Sequence, residues 1–137
     1  MPKSLRLLLT GALLAYGVVL VIVLLNPSPA AGSELVARFV SLGTRLDLPA
    51  ALIEGARVEF MLNVVAFMPL SLLGSLLRPH VTLSAWTAAG FAGSLLVEMI
   101  QTLLPDRSAT HSDIVANTLG AALGAMVAWI VLRSARQ

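Results

Sequence analysis

Carboxylates and carboxamides recur at helical spacing inside stretches that are otherwise almost wholly apolar. Glu98 and Gln101 lie three residues apart, with Ser94 on the same stripe; Asp113 and Asn117 lie four apart, as do Glu59 and Asn63. Side chains at these separations point the same way from a helix. A short polar segment carrying Pro105, Arg107 and His111 joins two of these runs. Glu98 is hemmed in by Leu95, Leu96, Met99 and Ile100. An ionisable group in such surroundings is costly and marks a functional site by default.

Three chemistries suit this set. In the first, a cavity holds a polar head group: Arg107 meets an anionic group, Asn63, Gln101 and Asn117 donate hydrogen bonds, and Glu98 and Asp113 complete the lining. In the second, desolvated Glu98 acts as general acid or base, with Asp113 as the second carboxylate and His111 as proton carrier. In the third, the polar groups only fix helix register, as interhelical hydrogen bonds do. No nucleophile or phosphate-cradling loop stands out, so the reading leans away from an enzyme. Glu98, His111 and Asp113 carry ligand atoms but no recognised metal spacing, so no metal or cofactor is expected. Asp113 also follows Thr110 in a T-x-x-D arrangement, the pattern of a helix capping box, and an acid in a first turn favours the helix dipole. Gly120 and Gly124 form G-x-x-x-G, which lets helix backbones approach closely and has a structural role.

The elements that must place these residues are membrane helices. Of 137 residues, 58% are hydrophobic and only 12% charged, and the mean hydropathy is +0.91. A soluble domain carries about 25% charge. The absence of cysteine excludes disulfides and thiolate chemistry, and a net charge of +2 does not point to nucleic acid. The pattern predicts one all-α domain over 1–137. It has four transmembrane helices, over about 6–25, 58–77, 83–104 and 113–132, each near the length a bilayer requires. The first run exceeds a signal-peptide core and reads as a retained anchor.

The segment 26–57 reads as extracytoplasmic. Within it, 33–46 has the spacing of a short amphipathic helix in the head-group region, with Glu34 and Arg38 paired on its polar side. Asp47, two residues before Pro49, reads as the cap of a new helix. Pro69 interrupts the second span and frees a carbonyl one turn earlier; Pro105 closes the third. Lys3, Arg6, Arg78, Arg133 and Arg136 fall on one side. Arg38, Arg45, Arg57 and Arg107 fall on the other, mixed with acids. This bias places both termini in the cytoplasm. Asn63, Glu98, Gln101, Asp113 and Asn117 then share one depth near the outer face, around an outward-opening polar cavity roofed by 105–112.

The ordered set Asn63-x-x-x-Phe67-x-Pro69-Leu70, Ser94-x-x-x-Glu98-x-x-Gln101 and Arg107-x-x-x-x-x-Asp113-x-x-x-Asn117-Thr118-x-Gly120-x-x-x-Gly124 resembles the VanZ-like family. The resemblance runs over about residues 59–127, most of the chain beyond the first span. Ser71 departs from the glycine usual after Pro-Leu. The family consists of small multi-pass proteins of the bacterial cytoplasmic membrane, and its namesake is linked to low-level resistance to the glycopeptide teicoplanin. The resemblance implies a membrane bundle in the cell envelope. The partners it suggests are membrane lipids, with an envelope lipid, a peptidoglycan-related precursor or a glycopeptide as candidate ligand. It supplies no reaction.

Overall fold

The computed structural model describes residues 1–26, 30–103 and 111–135, and these form five helices and no strand. They are α1 (Lys3–Leu24), α2 (Ala30–Arg45), α3 (Gly55–Leu77), α4 (Leu83–Gln101) and α5 (His111–Ser134). All but α2 are long and apolar enough to cross a membrane. The all-α bundle with a shorter additional helix is therefore as the sequence predicts. Helix boundaries follow local chemistry. At the start of α4 the Thr82 hydroxyl accepts a hydrogen bond from the Ala85 amide at 3.2 Å, satisfying a donor left over at the N-terminus. Pro69 lies within α3, which runs on through it. At the far end of α5, the Arg133 guanidinium stands 5.2 Å from the centre of the Trp129 ring, a cation–π contact.

One boundary differs from the sequence reading. Asp47 is not the cap of a new helix; it terminates α2. The Leu48 amide bonds the Gly43 carbonyl at 3.0 Å and the Asp47 amide bonds the Thr44 carbonyl at 3.2 Å. This is the Schellman pattern, which requires a left-handed residue, and Asp47 has φ 52°. The reversal sends Leu48, Leu52 and Ile53 back towards α2. Gly43 leaves room for Ile53 there, since a Cβ at residue 43 would overlap that side chain. The next helix begins only at Gly55, after Glu54.

Small residues hold the bundle together. In lipid there is little hydrophobic drive for helix association, so close van der Waals contact takes its place. The pairing of α3 with α5 is the most extensive in the molecule. A Cβ at Gly120 would overlap the Val64 carbonyl and crowd Phe67, and one at Gly124 would overlap the Met68 carbonyl and the Ser71 hydroxyl. The buried side of α5 is Ala116, Asn117, Gly120, Ala121, Gly124, Ala125 and Ala128. Helix α4 packs on α5, with Gly90 against Ala121, and lays Trp86 over Gly74 of α3. Helix α1 packs on α3, where the Tyr16 hydroxyl donates to the Ala66 carbonyl at 2.7 Å. That acceptor is next to Val65, whose carbonyl Pro69 cannot serve for want of an N–H.

Candidate functional site

The polar residues gather at the end of the bundle that carries α2, in two layers tied by hydrogen bonds between helices. In the inner layer, the Asn117 amide nitrogen donates to the Ser94 hydroxyl at 2.9 Å, linking α5 to α4. Ser94 is completely buried and Asn117 is 3% exposed. One turn further out, the Asn63 amide nitrogen donates to Asp113 Oδ1 at 2.7 Å, linking α3 to α5. Glu98 is one turn beyond Ser94 on α4, and Asp113 is one turn before Asn117 on α5. Each four-residue step advances about 6 Å, so in these antiparallel helices the two carboxylates stand at one level. Asp113 and His111 are titratable neighbours of Glu98. Further out still, the Gln101 amide nitrogen donates to the Leu24 carbonyl at 2.7 Å, fastening the last turn of α4 to that of α1.

Asn63, Glu98, Gln101, Asp113 and Asn117 thus come together as their spacing predicts, on three helices. Their occupations differ. Asn63, Gln101 and Asn117 each commit an amide nitrogen to another helix. Glu98 is only 6% exposed, and no hydrogen bond reaches its carboxylate from a described residue. The Asn117 amide oxygen is buried without a partner among the described residues. His111 is exposed in the first turn of α5, and Glu59, which shares the spacing of the cluster, is also exposed. Pro105, Arg107 and Thr110 lie outside the described residues, and with them most of the roof expected over 105–112 and the Thr110 cap. Among the described residues no group of three or more potential metal ligands is assembled.

A family model, VanZ/LLP1, matches residues 13–132. The chain belongs to the VanZ/LLP1 family. The match takes in α3 and α4 whole and most of α1 and α5, so this member of VanZ/LLP1 is a multi-helix membrane protein. No curated protein and no solved structure matches the chain.

The residue-by-residue resemblance to VanZ-like sequences has a physical content in this fold. Gly120 and Gly124 are required by the α3 backbone; Asn63, Ser94, Asp113 and Asn117 are required by each other. Sequence reasoning missed two contributors. One is Tyr16, a lone phenol in an apolar span, whose hydroxyl needs a partner when buried. The other is the Leu24 carbonyl, which carries no sequence signal because any residue supplies one. Two cavities lie away from the polar layer, and both are apolar. One of about 290 Å³ separates α2 from α3, between Phe39, Leu42, Ile53 and Met61. One of about 170 Å³ lies among Phe67, Trp86, Gly90 and Ala121.

Proposed function

We propose that this VanZ/LLP1 protein resides in the bacterial cytoplasmic membrane with both termini inside, and binds the polar head group of an envelope amphiphile at the α2 end of its bundle. Glu98 carries this reading. Asn63, Gln101 and Asn117 each commit an amide nitrogen to holding helices together, whereas the Glu98 carboxylate is buried, acidic and unused by the described residues. A residue kept only to fix register would be cheaper as glutamine, which is neutral. By resemblance to its family, the amphiphile is an envelope lipid, a peptidoglycan-related precursor or a lipid-bearing glycopeptide, and binding contributes to tolerance of teicoplanin.

The test compares Glu98→Gln with Glu98→Ala, scoring membrane abundance beside teicoplanin susceptibility. Loss of the phenotype in both, with Glu98→Gln present at normal levels, supports head-group binding by the carboxylate. Full function in Glu98→Gln removes the basis of the proposal. Orientation is tested by single cysteines in intact cells. Ser33→Cys and Ser108→Cys should react with an impermeant thiol reagent, and Ser134→Cys should not.

A second reading rests on the same cluster. Glu98 and Asp113 at one level, with His111 beside them, make an acid–base set for turnover of the bound amphiphile. Asp113→Asn separates the two. It preserves the hydrogen bond from Asn63, so binding should survive, while any chemical turnover should stop.

A further inference from the structure

Helix α2 is held to α3 and their link at two points. Val36 of α2 stands 4.0 Å from the position a Cβ on Gly55 would take, and Gly43 makes room for Ile53. Elsewhere the two helices stand apart around the cavity of about 290 Å³. Its walls include Phe39, Leu42 and Leu46 of α2, Leu52 of the link, and Met61 and Val65 of α3. All six are exposed, from 46% for Phe39 to 62% for Leu46 and Leu52. The turn at Asp47 brings the link back to α2 without covering these side chains.

Helix α3 fixes the surroundings of this gap. Val65 is ten residues beyond Gly55 in a helix long enough to cross a membrane, about 15 Å from its start. The cavity therefore reaches a depth where hydrocarbon, not water, is the solvent. Water, a helix of a second copy and a lipid chain are the candidate occupants. Water would find no polar partners on these walls. A helix with its side chains is about 10 Å across, wider than a gap of this volume admits. An unbranched acyl chain is a single file of methylenes. It meets carbon on both sides and restores the contacts that an empty gap forfeits.

Charge at the mouth does not choose among lipids. Arg38 pairs with Glu34 at 2.6 Å and Arg57 with Glu54 at 3.1 Å. Arg45, Asp47 and Glu59 carry the other charges of α2, the link and the start of α3, and they are of both signs.

We propose that the gap between α2 and α3 binds one acyl chain of a bilayer phospholipid, whatever its head group, and that α2 rests on α3 through this chain. Asn63, bonded to Asp113 of α5, lies about half a turn round α3 from Met61 and Val65. The site is therefore distinct from the polar layer and does not rest on the head-group reading.

The experiment places the full chain in nanodiscs of phosphatidylcholine or of phosphatidylglycerol, each doped with the same lipid bearing a diazirine on one acyl chain. After irradiation the labelled residues are mapped by mass spectrometry. Val18 and Ile22 of α1, 59% and 64% exposed, report ordinary contact with lipid. Labelling at Leu42 should exceed theirs about tenfold, the factor that some ten added carbon–carbon contacts confer, and equally in both lipids. Met61→Trp fills the gap from an exposed position and should bring Leu42 down to the level of α1. Leu14→Trp, on the exposed side of α1, should leave Leu42 unchanged. Where Met61→Trp fails to accumulate, the comparison within the unaltered chain decides. Labelling at Leu42 no greater than at Val18 overturns the proposal, and a dimeric chain in that case gives the gap to a second copy. Labelling that survives Met61→Trp overturns the assignment to the gap. A strong preference for one of the two lipids overturns selection by the chain alone.

Discussion

The glycine seam and the polar layer hold α3 and α5 together by opposite means. At Gly120 and Gly124 the two helices meet backbone to backbone, with no room for a methyl group. About two turns nearer the start of α5 they meet through Asn63 and Asp113, at hydrogen-bonding distance. The seam is close-packed and depends on the absence of atoms. The layer depends on particular atoms, and it leaves a carboxylate and an amide oxygen over. In a bilayer the first device supplies contact without asking anything of the surroundings, whereas the second fixes rotation and register and carries unmet polar capacity. Function is sought in the layer for that reason, and stability in the seam.

The contrast can be broken most severely at the seam. Gly124→Leu drives a side chain into the Met68 carbonyl, which belongs to a helix and cannot turn aside. The expected cost is about 3 kcal/mol, the upper range for overpacking, read as lost folded yield in detergent. Gly93 of α4 provides the comparison. A Cβ there meets nothing within 4 Å, so Gly93→Ala should leave the yield unchanged.

An effect of intermediate size and opposite sign is expected in the link outside both regions. Asp47→Gly relieves a left-handed residue and should stabilise the chain by about 1 kcal/mol, measured as a higher thermal midpoint. The smallest resolvable effect belongs to the layer. A double-mutant cycle of Ser94→Ala with Asn117→Ala should return a coupling of about 0.6 kcal/mol, the average for interhelical hydrogen bonds in a membrane protein. A coupling of several times that size would mean that the layer, not the seam, dominates the pairing of α5. Arg38→Ala should have no measurable effect, because its ion pair with Glu34 is highly exposed.

What was legible in the sequence was whatever depends on periodicity and on residue type alone. The four apolar helices follow from run length, and the seam follows from Gly120 and Gly124 lying one turn apart. The gathering of Asn63, Glu98, Gln101, Asp113 and Asn117 follows from antiparallel spans with polar groups at matching depths. Who bonds whom was not legible. Asn63 finds Asp113 across 50 residues, and that choice depends on how α3 and α5 rotate against each other, which the glycines decide. Asp47 misled for a local reason. An aspartate shortly before a proline reads as a helix start, and the same residue type tolerates the left-handed conformation that closes a helix. The distinction lay in Gly43 and Thr44, whose carbonyls it turns back to meet.

Helix α1 touches the rest of the bundle through few groups, and their sequence positions bear on how the chain is made. The Tyr16 hydroxyl waits for a carbonyl 50 residues later, and the Leu24 carbonyl waits for an amide 77 residues later. During synthesis α1 is therefore made before either partner exists, and must be at home in the bilayer without them. Its composition matches that demand: it contains the most apolar stretch of the four long helices. The later helices, α4 and α5, are made after α1 and α3 and can carry the glutamate, glutamine, aspartate and asparagine that a helix without partners would insert only at a cost.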